Sequence, residues 1–500
     1  MKTCKPAISE RREMIHHGKT TRNVFAAVAV TLMLAASALA QYSETVLHTF
    51  TGGKDGAIGG LNLVADSSGN LYSTTSDGGN KSASCGVNTG VPGCGVVFKL
   101  SRDGDGAWKE RVLYTFTGGK DGGVPFGGVI LDSAGNLYGA TYAGGDTTSH
   151  NCVGNSGLPP GCGVVFKLTR DGNGVWEETV LYTFTGDRDG ARPNIRLILD
   201  SSGNVYGTTT LGGGTYCFGQ LGCGVVFKLK SAAKAPWKES VLYAFKGTSD
   251  GLLPLAGLTL DSRGNLYGDT YYGGDQSVTC QGTVGCGVVF KLTPTRKGQW
   301  TQTVLYAFTG GADGATPLFY VTLDSRGNVY GSTIYGGDTT SSNCLGGYGY
   351  EAPPGCGVVF KLTPRAHGPW NETVLYAFTG GSDGAFADTS VFFHSSGHLY
   401  GMTLGGGNTA PCALGSKNNA GCGVVFKLTP TSKPPWTETV LYAFTGGTDG
   451  GTPQSNVLFD SAGNIFGVSE TGGNTSECKG NLEDEAGCGV VFELSPQHPD

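Results

Sequence analysis

The sequence has 500 residues, 87 of them glycine, with 10% aromatic and 15% charged residues and a formal net charge of −6. The aromatic content excludes a disordered glycine-rich polymer, and the acidic balance disfavours nucleic acid as a partner. Such a length suits one closed β fold as well as several domains.

Residues 1–40 read as an export signal, in which Lys19 and Arg22 precede an apolar run from Val24 to Ala36 and Ala38-Leu39-Ala40 offers cleavage before Gln41. Its removal takes away six Lys/Arg and two Asp/Glu, which brings the net charge from −6 to −10. It also removes Cys4, leaving an even 14 cysteines. No second apolar span follows, so no membrane span is expected, and Cys4 lies too early for a lipoprotein. The expected location is secreted, periplasmic or on the outer cell surface.

Residues 41–500 are expected to form one domain of seven repeats. The domain opens with a lone strand, Thr45 to Phe50, and closes on a partial unit that reaches Leu494. Between them recur Thr-Val-Leu-Tyr-x-Phe-Thr-Gly-Gly-x-Asp-Gly, an apolar run ending Leu-Asp-Ser-x-Gly-Asn-Leu-Tyr-Gly, a Gly-Gly pair, two cysteines, and Gly-Val-Val-Phe-Lys-Leu. Second cysteines at 94, 162, 223, 286, 356, 422 and 488 set a period of 61 to 70 residues. From each Trp (108, 176, 237, 300, 370, 436) to the turn acid, or to His394, is always 24 residues, and from there to Gly-Gly is always 12. All length variation therefore falls in the loop that carries the cysteines.

Pattern and turn chemistry give four strands per unit, here called a to d. In the fourth unit Gly257 to Leu260 is strand a, and an Asp-Ser-Arg-Gly-Asn turn leads to strand b, Asn265 to Gly268. Strand c is Val288 to Leu292, and Trp300 opens strand d, Thr303 to Phe308. Seven such antiparallel meanders close as a seven-bladed β-propeller. Tyr42 holds the Trp slot, so the N-terminal strand is expected to complete the last blade and shut the ring.

These repeats resemble the GloVer tandem-repeat family of exported bacterial proteins over nearly all of residues 42–494. The resemblance implies export and brings no defined activity. Members commonly end in sorting or anchoring segments, and this chain stops at Asp500 without one, so free secretion or periplasmic residence is the expectation. Gly273-Gly274 with the later Trp300 is similar to a kelch repeat. Ser101 to Trp108 resembles a degenerate Asp-box of the sialidase type, lacking the glycine at its fifth position.

One asymmetric ligand cannot use seven equivalent positions alike, so recurring residues read as scaffold. The cysteine separations vary too much for a fixed metal geometry, and seven disulfides are expected within repeats: Cys85–Cys94, Cys152–Cys162, Cys217–Cys223, Cys280–Cys286, Cys344–Cys356, Cys412–Cys422 and Cys478–Cys488. No metal and no cofactor is expected. The recurring Asp-Gly acids after strand d (Asp55, Asp121, Asp189, Asp250, Asp313, Asp383, Asp449) read as turn caps, with calcium as the alternative.

The d-to-a and b-to-c connections share one face, and ligands are expected there. Departures from the repeat mark the candidates: Arg188, Arg192, Arg196 and Tyr320, the loop aromatics Tyr216, Phe218, Tyr348 and Tyr350, and the acids Glu477, Glu483, Asp484 and Glu485. Arg196 stands where other repeats hold Asn62, Gly128, Gly257, Tyr320, Ser390 and Asn456. Two function classes stay open. The first is a monomeric, non-catalytic binding or cell-envelope module for a polysaccharide or protein. The second is a carbohydrate-active lyase or hydrolase, although no nucleophile elbow or zincin motif is present.

Overall fold

The run Val-Val-Phe-Lys-Leu becomes an interior strand because nearly every residue in it is taken out of water. In the fourth repeat Val288, Val289, Phe290 and Leu292 have no exposed surface, while Lys291 lays its ammonium over the Tyr267 ring. The structure is a computed structural model. It describes residues 42–497 except 83–84, 86–90, 153–158, 194, 215–216, 218–220, 345–352, 367, 409–411, 413–420, 475, 477 and 479–486.

Seven antiparallel sheets follow one another along the chain. Blade four pairs Thr259–Leu260, Leu266–Thr270, Val288–Pro294 and Trp300–Ala307 in that order. Strand a is shorter than its sequence pattern suggests. In blades one and seven it breaks into two pieces, Ala57–Gly59 with Val64–Ala65 and Gly451–Pro453 with Leu458–Phe459. Each a-to-b turn is organised by its acid. Asp66 accepts from the amides of Ser68 and Asn70, from Asn70 Nδ2 and from the Tyr72 hydroxyl. His394 takes that place in blade six, its Nδ1 accepting the Ser396 amide at 3.2 Å.

Strand d carries a bulge that its Val-Leu-Tyr sequence explains. In every blade the register against strand c slips at the leucine, as between Val46 and His48 or between Val180 and Tyr182. The slip lets adjacent residues face the same side. Leu181, Leu305, Leu375 and Leu441 are thereby buried to 1–2% exposure.

Adjacent blades are joined by a seam repeated seven times. The phenylalanine ending strand d stands edge-on to the strand-c phenylalanine of the next blade, with centroids 5.0–5.3 Å apart, from Phe50 on Phe98 to Phe444 on Phe492. Such a pair contributes about 0.5–1.5 kcal/mol beyond the area it buries. Beside it, the second cysteine's carbonyl accepts the amide of a residue entering the next blade: Ile58, Val124, Arg192, Leu253, Thr316, Phe386 or Thr452, at 2.7–3.1 Å. All seven donors are non-glycine residues at φ between 47° and 60°. The tryptophans pack across seams, Trp108 against Phe466 and Trp237 against Tyr138.

The ring closes as its termini suggest. Tyr42–Thr49 pairs antiparallel with Val490–Pro496, from Tyr42 opposite Pro496 to Thr49 opposite Val490. All seven disulfides form within repeats, with Cα atoms 5.0–5.3 Å apart. Among the described residues no helix is long and apolar enough to cross a membrane.

Each disulfide lies against the glycine two residues past the phenylalanine that follows strand d. At Gly380, with φ +73°, a Cβ would meet Cys344 Sγ at 2.6 Å and Cys356 Sγ at 2.7 Å, whereas Gly368, at φ +80°, has nothing within 4 Å. Both positions strain an alanine's backbone by about 1–2 kcal/mol, so their difference isolates the sulfur contact. Gly380→Ala is expected to unfold at least 1 kcal/mol more easily than Gly368→Ala in urea, an overpacking cost of about 1–3 kcal/mol. Deleting Tyr42–Thr49 exposes strand c of blade seven as an edge, and is expected to lower the melting temperature by about 10 °C or more.

Candidate functional site

The entrances to strand a converge where each blade meets its neighbours, and repeat-breaking residues gather there. Gly257 of blade four leaves room on both sides: a Cβ on it would lie 3.3 Å from the Arg196 carbonyl oxygen and 3.4 Å from Tyr320 Cβ. Across that gap the Arg196 guanidinium of blade three stacks on the Tyr320 ring of blade five, 4.6 Å from its centroid. Arg196 Nε is buried with no hydrogen-bond acceptor among the described residues, and the residue as a whole stays half-buried. Stacking fixes the plane of the guanidinium and leaves its fork the means to grip a planar anion.

Arg192 is placed differently from the sequence expectation of an open ligand contact. It is 3% exposed, stacks on Tyr142 at 4.7 Å and donates from Nη2 to the Pro159 carbonyl at 3.1 Å. Its main chain is also one of the seven left-handed seam donors, at φ 59°. Burial pulls its pKa down, against the opposing pull of Tyr142. Arg192 thus ties the blade-two disulfide loop to blade three and holds Tyr142, which in turn meets Phe126 edge-on. Tyr216, Phe218, Tyr348, Tyr350 and the acids Glu477, Glu483, Asp484 and Glu485 lie outside the described residues.

The structure adds acids that the repeat pattern did not single out. Asp388, six residues before His394, is 6% exposed with Oδ1 unpartnered. Burial and then the charge of Glu470 push its pKa up to about 8. Glu470 itself is raised to about 7, by burial and then by Asp77. Asp269 is 1% exposed with neither oxygen hydrogen-bonded among the described residues, and burial holds its pKa well above the carboxylate range. At the same place in blades three and five, Thr208 donates to the Ala256 carbonyl and Ser332 to the Thr389 carbonyl of the next blade. Asp269 can donate in that way only as a neutral acid. Beside this group Tyr271 and Tyr272 meet edge-on at 4.6 Å and share Gln281 Oε1 as acceptor.

The loops after strand d are capped by their own acids. Asp121 accepts from the Thr117 amide, the Thr117 hydroxyl and Tyr114, and Asp313 repeats the pattern with Thr309 and Tyr306. Among the described residues no group of three or more His, Cys, Asp or Glu side chains could hold a metal ion. Two shallow grooves open on the opposite face between neighbouring a-to-b turns. One, of about 420 Å³, has Trp108 and Arg102 beside the turns of Asp66 and Asp460. The other, of about 480 Å³, has Trp370 beside those of Asp261 and Asp324.

Seven blades of four antiparallel strands, with one face pinned by disulfides, define a disulfide-stabilised β-propeller. The chain belongs to the Gloeobacter/Verrucomicrobia repeat family, whose pattern matches residues 84–345. No curated protein matches it in sequence. Among solved structures it is similar to a Trichoderma reesei protein of carbohydrate-active enzyme family AA12, at 12% identity over 91% of this chain and 96% of that one, with a TM-score of 0.41. A Xanthomonas campestris gluconolactonase matches at 12% identity over 92% of each chain, with a TM-score of 0.37. A copper-bound fungal alcohol oxidase of the AA5 family matches at 13% identity over 91% and 76%, with a TM-score of 0.47. Likenesses this remote say nothing of what the chain binds.

Asp388 gives a signed pH effect. Its folded pKa of about 8 stands above the ordinary 3.8, so its contribution is intact below about pH 4 and is lost as pH rises through 8. Asp388→Asn is expected to equal the parent near pH 4 and to exceed it above pH 8 by a few kcal/mol, since each tenfold difference in proton affinity is worth about 1.4 kcal/mol. Urea denaturation at the two pH values measures the difference.

Proposed function

We propose that the protein is exported by cleavage after Ala40 and acts as a monomeric, non-catalytic binding or cell-envelope module. Its ligand is a polysaccharide or protein segment that carries carboxylates. The observation that carries this reading is the Arg196–Tyr320 stack over Gly257, in which the two large residues at that position of the repeat, from blades three and five, meet across blade four. An asymmetric ligand needs such a place, and a stacked guanidinium recognises a carboxylate by two parallel hydrogen bonds. Arg192 supports the site by holding Tyr142. The loop residues Tyr216, Tyr348 and Tyr350 supply further stacking surfaces for sugar rings in the same reading. Seven disulfides suit an oxidising compartment.

A second reading, a polysaccharide lyase or glycoside hydrolase, draws on Asp388 and Glu470. Two carboxyls raised to about 8 and about 7 titrate where a general acid and base operate.

One screen separates the readings. The oxidised protein is tested against uronic-acid-containing and neutral polysaccharides, with the products of the same samples analysed for new reducing or unsaturated ends. Binding to the acidic polymers without new ends supports the module, and new ends support the enzyme. With the bound polymer in hand, Arg196→Ala is expected to weaken affinity about ten- to a hundred-fold, from the loss of a charge-assisted hydrogen bond. Arg365→Ala is expected to leave it unchanged, since Arg365 lies exposed in a c-to-d connector, where its Nη2 donates to Asn371 Oδ1 at 2.8 Å. Equal affinity of the parent and both variants would move the site elsewhere.

A further inference from the structure

The outer strands place a glutamate at six of the seven seams. Glu44, Glu110, Glu178, Glu239, Glu372 and Glu438 each sit two residues past the Trp or Tyr that opens strand d. Each is half-buried, and in each Oε1 is shielded from water with no hydrogen-bond donor among the described residues. Each faces the Asp-Gly loop of the preceding blade: Glu178 faces Asp121, Glu239 Asp189, Glu372 Asp313, Glu438 Asp383, Glu44 Asp449, and Glu110 faces Asp55 together with His48. In five of these loops the aspartate is already filled by a threonine amide, a threonine hydroxyl and a strand-d tyrosine. In the sixth His48 takes the tyrosine's part towards Asp55. A second negative charge beside that carboxylate is unfavourable.

The seventh seam shows what the glutamates do. Gln302 stands in the same position in blade four, and its Nε2 donates to the main-chain carbonyl of Asp250 at 3.2 Å. A glutamine amide has the shape of a protonated carboxyl and, like it, offers a donor beside an acceptor.

We propose that the six seam glutamates carry protons and donate them to the main-chain carbonyl of the facing aspartate, so that the ring is clasped by acid and loosens as they ionise. Burial, reinforced by the facing aspartate, raises all six to about pH 7; at Glu110 the nearby His48 pulls the other way. The ordinary glutamate value is 4.5, so the folded chain binds more protons than the unfolded one between the two. Stability falls as pH rises from about 4.5 to about 7 and levels off above, by up to about tenfold in the unfolding constant per pH unit for each glutamate.

The test is unfolding of the oxidised full-length protein in urea from pH 4.5 to 8.5. Asp269, Asp388 and Glu470 are raised by burial as well, so variants must assign the slope. Changing all six glutamates to Gln is expected to remove most of the slope, while Asp388→Asn leaves most of it. Gln302→Glu adds a seventh group and is expected to steepen it. Should the sixfold variant not fold, Glu178→Gln and Gln302→Glu move the slope in opposite directions by one group each. The infrared C=O band of protonated carboxyl supplies an independent reading, expected to persist near pH 6 in the parent and to shrink in Glu178→Gln. A slope unchanged by these substitutions, or a carboxyl band gone by pH 5, would overturn the proposal.

Discussion

The ring depends on a hydrogen bond made at every seam, from an amide held in the left-handed region to the carbonyl of the preceding blade's second cysteine. A β-branched or aromatic residue at φ near +55° is disfavoured by roughly 1–2 kcal/mol. Ile58, Val124, Thr316, Phe386 and Thr452 nonetheless adopt it. They can because the cysteine carbonyl is already fixed, by a disulfide on one side and the glycine that begins strand c on the other. The cross-link therefore positions an acceptor, and the acceptor positions the entrance of the next blade. Arg196 and Tyr320 each lie four residues past such an entrance, Arg192 in one blade and Thr316 in the other.

A second consequence concerns where stability resides. Every blade buries its phenylalanines against a neighbour, so no sheet has a core of its own, and packing energy belongs to seams. In an open stack the terminal units would be weakest. Here the first strand of the domain completes the last sheet, and Phe50 packs on Phe98 as its six counterparts do. The closing seam is equivalent to the rest, although the hydrogen bond across it, from the Ile58 amide to the Cys488 carbonyl, links the two ends of the domain.

Much of this was legible because it repeats. The fixed 24-residue interval from Trp to turn acid and the paired cysteines specify the blades, their count, the cross-links and the closing strand. Features without a sequence signature were not legible. The bulge is hidden in Val-Leu-Tyr, which reads as an ordinary apolar run until its register with strand c is known. The left-handed donors share no residue type, so no glycine betrays them. Arg192 stands out in the sequence only as a departure from the repeat, and its contacts with Tyr142 and Pro159 were not legible because those residues belong to another blade. The seam glutamates alternate with exposed residues as a solvent-facing row would, and only the packing of one blade on the next covers them. Asp388 had a usable signal: its slot holds Gly60, Phe126, Leu255, Leu318 and Gln454 in other repeats.

The paired cysteines stand 6 to 12 positions apart in sequence, yet their Cα atoms are always 5.0–5.3 Å apart. Whatever an insertion adds, the chain leaves and re-enters the sheet through the same gate. Content and frame are thereby decoupled, because a mutation that lengthens one loop changes neither the angle between blades nor the other six loops. Natural variation within such a ring is free to sample surfaces one sector at a time, as an antibody samples its hypervariable loops, while the framework pays nothing for the search.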